Sequence, residues 1–408
     1  MSRIYKEYDL LLQIGAGTYS AVYKAKRKSD GLLVAIKIVE SQSENEVSLI
    51  VSEANVLKHL MGGPPSIPKI YDFFNEGPLF FIIMEYLDGY ITLLEWANSY
   101  SSLIFNGTNC DEDLQGFVKA REEDIIYIFG QIVSSINYLH QKFVIHRDLK
   151  LENIMFNPKT REIKLIDFGF SIISQTMVWT TICGSFEYLA PEVLHDLINQ
   201  SNEKSQVEKD PEYTTQTEVW SLGIILYGMI YCRLPFFHQN RLKLIKLVLN
   251  SEISYDPEKA IFNPSLNILL HSMLQKDPTQ RLNFTQVYQY PLFTETYKQI
   301  IKSTSYKAGI HRMTYNSDNT NKLKPIPELN SRYTNNYAPN LDNKPNESNK
   351  DDHEVGLEQN NNSNVTLSKA HFPLTYRMSY TQKSRNFAKI NKAFPLRAKI
   401  VAPKLVTS

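Results

Sequence analysis

Cysteine is scarce in this chain: its three residues, Cys110, Cys183 and Cys232, lie far apart. Their odd number and wide spacing exclude a disulfide framework and a zinc pattern, and they suit a reducing compartment. Long apolar runs are missing as well. The longest, around Leu222 to Ile230, is interrupted by glycine and tyrosine and is too short to span a bilayer. It reads as a buried helix, and no transmembrane segment is expected. The opening stretch MSRIYKEYDL has no apolar signal-peptide core. These absences make a cytoplasmic or nuclear location the expectation. Neither sign of charge is in excess, since 44 Lys and Arg face 43 Asp and Glu for a net charge of +1. No general preference for polyanions follows, no specific nucleic-acid binding is expected, and any charge preference has to be local.

What the chain does have is material for a core, with 42% hydrophobic and 12% aromatic residues in 408. That length holds two compact domains, or one large two-lobed domain and a tail. Residues 8 to 40 alternate as strands do: YDLLLQIG, SAVYKAKRK and LLVAIKIV. Gly15, Ala16 and Gly17 lie between the first two. A dinucleotide-binding fold needs a helix directly after such glycines, yet the β-prone Ser20-Ala21-Val22-Tyr23 follow, so the glycines belong to a hairpin. Glycine lets backbone N–H groups approach phosphate closely because no Cβ intervenes. Helical spacing runs from Leu49 to Leu60, with Glu44, Glu46 and Glu53 before or within it. The apolar run Phe80 to Leu87 reads as a buried strand. Residues 98–122 and 195–217 are polar and read as surface insertions, while Ile125 to Gln141 has the spacing of a core helix.

Two strings carry the chemistry. In VIHRDLKLENIMF, Asp148, Lys150 and Asn153 fall within six positions of one polar loop; in IKLIDFGF, Asp167 follows an apolar run. Asparagine and aspartate oxygens are hard ligands of the kind Mg²⁺ accepts. Asp148 is a candidate to take up a hydroxyl proton. The set suits holding Mg²⁺ on a polyphosphate while a hydroxyl is aligned for attack.

With H-R-D-x-K-x-x-N followed by D-F-G, the chain resembles the eukaryotic serine/threonine protein kinase family from about Tyr8 to Phe293. Within that family, HRDLKLEN and CGSFEYLAPE lean towards the calmodulin-dependent and Snf1-like group. The resemblance implies an α+β, two-lobed kinase fold over 8–293: a small β-rich lobe at about 8–86 and a larger helical lobe at about 87–293. It implies ATP with Mg²⁺, and γ-phosphate transfer to hydroxyls of protein substrates. Lys37 of Val34-Ala35-Ile36-Lys37, held by Glu53, would position the α- and β-phosphates. Ile14, Gly15, Ala16, Gly17, Val22, Ala35 and Met155 would enclose the nucleotide, and backbone groups of Glu85 and Leu87 would read adenine, with Met84 at the back of the cleft. Asn153 and Asp167 would hold Mg²⁺, Lys150 would neutralise the moving phosphate, and Asp148 would orient the acceptor. Phe170, directly after the D-F-G string, lies in relatives near the acceptor's Cβ and implies serine in preference to threonine. Thr181, two residues before Cys183-Gly184-Ser185, would accept a regulatory phosphate from an upstream kinase or from the enzyme itself. Arg147 would be the unpaired cation that receives this phosphate. The family expects Asp before Val219-Trp220-Ser221, and Glu218 stands there. Arg281 would pair with Glu192.

A kinase-like scaffold without catalysis, a small-molecule kinase and a binding protein driven by its tail are the other classes. No metal or phosphate ligand is missing, which counts against the first, and the Ala190-Pro191-Glu192 segment counts against the second. Beyond about residue 303 the composition shifts to Asn, Ser, Asp and Pro and then, from Glu358 on, to Lys and Arg without acids. This tail is expected to be mostly disordered, with its basic end a possible dock for a partner.

Overall fold

The computed structural model describes residues 2–16, 20–41, 43–105, 111–201, 213–255 and 263–302. In chain order the elements are α1 (Arg3–Glu7), β1 (Tyr8–Ala16), β2 (Ser20–Arg27), β3 (Leu33–Glu40), α2 (Glu44–His59), β4 (Ile70–Glu76), β5 (Leu79–Glu85), β6 (Ile91–Thr92), α3 (Leu93–Phe105) and α4 (Asp111–Gln141). There follow β7 (Val144–Ile145), β8 (Ile154–Phe156), β9 (Ile163–Leu165), β10 (Ile172–Ile173), α5 (Pro191–Ser201), α6 (Thr215–Tyr231), α7 (Arg241–Asn250), α8 (Pro264–Met273), α9 (Phe284–Tyr288) and α10 (Thr294–Lys302). The first five strands form one antiparallel sheet in the order β1-β2-β3-β5-β4, the small lobe. Among the described residues the remaining strands form two short ladders, β6-β8-β9 and β10-β7, and the other elements are helices.

Strand periodicity sorts the small-lobe side chains onto two faces. Along β3, Val34, Ile36 and Ile38 point one way and join Tyr23, Ala25, Phe81 and Ile83 in a core of their own. Helix α1 closes that core with the fully buried Ile4, and Arg3 bonds Asp72 of β4 at 2.5 Å. The alternate residues Ala35 and Lys37 share the other face with their cross-strand partners Val22, Met84 and Ile82. Every predicted nucleotide-facing residue of β2 and β3 therefore lies on one side of the sheet.

Helix α2 begins earlier than its apolar spacing predicts, because Ser43 caps it by accepting from the N–H of Glu46. Val56, Leu57 and Leu60 are buried as their spacing predicts, but Ile50 takes the inward place expected of Leu49, which is 50% exposed. The stretch 98–122, read as a surface insertion, is largely helical, with residues 106–110 outside those described. Arg121 is buried, donating from Nη2 to the carbonyl of Met229 (2.7 Å) and to Cys232 Sγ (2.8 Å) at the end of α6. A polar sequence here is a helix whose charge serves an interior helix end. The second stretch, 195–217, is ordered at both ends; α5 continues to Ser201, and Thr214 caps α6 by accepting from Gln216 N–H. Residues 202–212 lie outside those described. The packed fold runs past Phe293, since α10 continues to Lys302 and packs on α4 where Gly130 leaves room for Thr296. The predicted disordered and basic tail lies outside the described residues.

Helix α6 is the axis of the large lobe. Val219, Trp220, Leu222, Ile224, Ile225, Leu226, Tyr227 and Met229 are each fully buried, so it is apolar all round, as a central helix should be.

Candidate active site

Lys37 leaves β3 on the face that looks towards α2. Its Nζ donates to both carboxylate oxygens of Glu53, at 2.7 and 2.8 Å, and to Asp167 Oδ1 at 3.3 Å. Glu53 lies on the buried side of α2 and is 5% exposed. Burial works against the lysine charge, but Asp167 and Glu53 outweigh it and hold the Lys37 pKa above the usual lysine value. Lys37 in turn holds the Asp167 carboxyl below its ordinary range. Asp167 adopts φ 60°, an unusual backbone conformation for a residue with a Cβ, and its side chain stays 44% exposed to the cleft.

The second cluster sits on the loop after β7. Asn153 Nδ2 donates to the carbonyl of Asp148 and to its Oδ2, both at 2.9 Å. Lys150 Nζ lies 2.8 Å from Asp148 Oδ2 and donates to Ser185 Oγ at 3.0 Å. Asp148 Oδ1 accepts from the backbone N–H and the hydroxyl of Ser185, each at 3.0 Å. Glu218 braces this loop from below. Its Oε1 accepts from the N–H groups of His146 and Arg147, at 2.9 and 3.1 Å, and its Oε2 lies 2.6 Å from His140 Nε2. The longer acid therefore reaches the backbone that an aspartate was expected to hold, and a histidine takes its second oxygen.

Gly15 pairs with Val22, and a Cβ added at Gly15 would meet Val22 at 3.4 Å. Ile14 and Ala16 end β1 beside it and are exposed; Gly17 lies outside the described residues. Met155 of β8 faces Lys164 of β9 across the ladder, and Glu85 and Leu87 lie where β5 leaves the sheet. The Nε of Arg147 donates to the neutral carbonyl of Phe170 at 2.6 Å, and burial lowers its pKa. Arg147 lines a small cavity with Trp179, Thr181 and Cys183. Glu192 and Arg281 pair through two bonds of 2.7 and 2.8 Å.

Sequence reasoning missed two participants. Ser185, whose hydroxyl bridges Asp148 and Lys150, stands in the string CGSFEYLAPE, which was used only to place the chain within the family. Lys164, on β9, pairs with the side chain of Glu85; nothing in its spacing marked it.

The residues present fit Mg²⁺. Asn153 donates with its nitrogen to Asp148, which leaves its carbonyl oxygen for another partner, and Asp167 offers a deprotonated carboxylate: two hard oxygen donors with room for phosphate and water.

A family model described as protein kinase domain matches residues 8–293. The chain belongs to the protein kinase family. Among curated proteins it is similar to the RAC-beta serine/threonine-protein kinase of Rattus norvegicus, 32% identical over 282 residues, which is 68% of this chain and 50% of that protein. The Homo sapiens protein of the same name is 31% identical over 281 residues, and RAC-beta serine/threonine-protein kinase B of Xenopus laevis 30% over 282, with the same shares covered. The chain thus spans about half the length of the curated relatives it matches.

Proposed function

We propose that the protein is an ATP-dependent serine/threonine kinase acting on protein substrates. The observation that carries this reading is Lys37, bonded at once to Glu53 and Asp167. That arrangement links the strand proposed to hold phosphate to the loop proposed to hold the metal. Mg²⁺ held by Asn153 and Asp167 would neutralise phosphate charge. Lys37 orients the α- and β-phosphates. The acceptor oxygen bonds to the γ-phosphorus while the bond to the β–γ bridging oxygen breaks, ADP departs, and the hydroxyl proton passes to the Asp148 carboxylate. Lys150 offsets charge on the phosphoryl group in transit. Ser185 supports these roles, since one hydroxyl already bonds Asp148 and Lys150 together. The protein supplies alignment and charge, which is most of what this chemistry needs.

Within serine/threonine kinases, the strings HRDLKLEN and CGSFEYLAPE favour the calmodulin-dependent and Snf1-like group, and similarity to RAC-beta kinases does not single that group out. The scattered cysteines favour a cytoplasmic or nuclear setting. Thr181, exposed and beside Arg147, is the proposed phosphate acceptor for an upstream kinase or for autophosphorylation. The basic end of the tail is the proposed dock for a partner.

Asp148→Asn and Asp167→Ala test the assignment on a serine peptide. Each should lower phosphotransfer by at least about a hundredfold, with unfolding temperature preserved. Turnover like the unaltered protein in either variant would remove it.

A further inference from the structure

The side-chain pair Lys164–Glu85 has no part in the mechanism above, and its position gives it one. Glu85 is the last residue of β5, where the small-lobe sheet passes into the linker to the large lobe. Lys164 is the middle residue of β9, three positions before Asp167. Its Nζ donates to both oxygens of Glu85, at 2.8 and 2.7 Å, with side-chain exposures of 7% and 25% for the lysine and the acid. A lysine this buried is uncommon unless paired, and a buried ion pair is weak evidence for net stability, which leaves geometry as the role to test.

Both partners are fixed from other directions. The N–H of Glu85 donates to the Lys69 carbonyl at 2.9 Å, and the N–H of Lys69 returns to Glu85 Oε2 at 3.2 Å. On β9, Leu165 N–H donates to Ser66 O at 2.8 Å and Ile166 N–H to Asn153 O at 2.9 Å. Lys164 also stands directly opposite Met155 in the β8–β9 ladder, so the two side chains share a face. The pair therefore joins the backbone proposed to read adenine, the strand carrying the proposed floor of the purine site, and the strand that delivers Asp167. A second ion pair between sheet and loop, Lys37–Asp167 at 3.3 Å, lies at the phosphate end.

We propose that Lys164 and the side chain of Glu85 are positioning residues that set the span between the adenine-reading linker and Asp167, and so tune the enzyme's grip on ATP. The proposal rests on the kinase reading. Breaking the pair should loosen both ends of one ligand and leave the Ser185–Asp148 contact alone.

The test uses the full chain and ATP with Mg²⁺, with binding measured by calorimetry and KM for ATP and for a serine peptide measured separately. Lys164→Met and the near-isosteric Glu85→Gln should each weaken ATP binding about five- to tenfold and raise KM for ATP in parallel, with peptide KM unmoved. The double variant should be no worse than the poorer single, because both changes remove one interaction. Lys164→Arg should restore binding to within about twofold, since a guanidinium can keep two bonds to the acid. ATP affinity unchanged in folded Glu85→Gln would overturn the proposal, as would a purely additive double variant. If the unaltered protein bound no ATP at all, the kinase reading would fall and this inference with it.

Discussion

Phe170 is the residue from which substrate choice can be read most directly. It follows Asp167-Phe168-Gly169, it is half-buried, and its carbonyl accepts from Arg147 Nε, which ties it to the loop that carries Asp148. Threonine carries an extra methyl that stiffens χ1. A large ring near the acceptor's Cβ disfavours rotamers that would bring a threonine hydroxyl to Asp148, and one badly tolerated methyl costs about 1–3 kcal/mol. Matched peptides differing only in serine or threonine should show serine ahead by about tenfold or more, and Phe170→Val should narrow or reverse the gap. Equal rates with the unaltered enzyme would contradict this. At this scale the site was legible. Asp148, Lys150 and Asn153 stand on one short loop whose chemistry lies in the residue types themselves, and there they contact one another, while Asp167 bonds Lys37. That Arg147 bonds the Phe170 carbonyl was not legible, because sequence marks no particular carbonyl as an acceptor. Lys164 was passed over for a similar reason, its partner being 79 positions away.

Elements are held in place by a few buried charges, and the pair Arg281–Glu192 is the clearest. Arg281 has no exposed side chain. Besides both oxygens of Glu192 it donates to the carbonyls of Gln275 (2.9 Å) and Gln216 (3.0 Å), and it lies 5.2 Å from the Trp220 ring. One side chain thus joins the start of α5, the first turn of α6 and the loop before α9. Removing it leaves Glu192 and three carbonyls, that of Lys276 included, without their donor. Arg281→Ala should therefore lower unfolding free energy by about 3–5 kcal/mol in a denaturant titration; a loss under about 1 kcal/mol would mean that the pair is incidental. Strand and helix identities followed from periodicity, because a period of two or of 3.6 is a property of the sequence itself. Element limits were less legible. Ser43 extends α2 upstream through a cap. Between 98 and 122, polarity suggested a loop although Arg121 turns its charge to a buried helix end. Composition cannot separate a solvated charge from one with an interior partner.

At the scale of the domain, the small-lobe sheet, α2 and the loop after β9 meet at Lys37, Glu53 and Asp167, while Ser185 bonds Asp148. Phosphate on Thr181 would add a dianion to a cavity that Arg147 lines, and charge-assisted bonds there should order the segment further. Mass spectrometry of active enzyme should find Thr181 modified, with Thr180 the alternative, and Thr181→Ala should lower activity. Both threonines unmodified in an enzyme unaffected by Thr181→Ala would refute control at this place. The central claim is tested most directly by transfer of labelled γ-phosphate from ATP to a peptide array by the full chain, beside a Lys37→Met control. Serine peptides should be labelled by the unaltered chain, with the signal at least about a hundredfold weaker for the control. Labelling absent from both, or equal in both, would contradict the account.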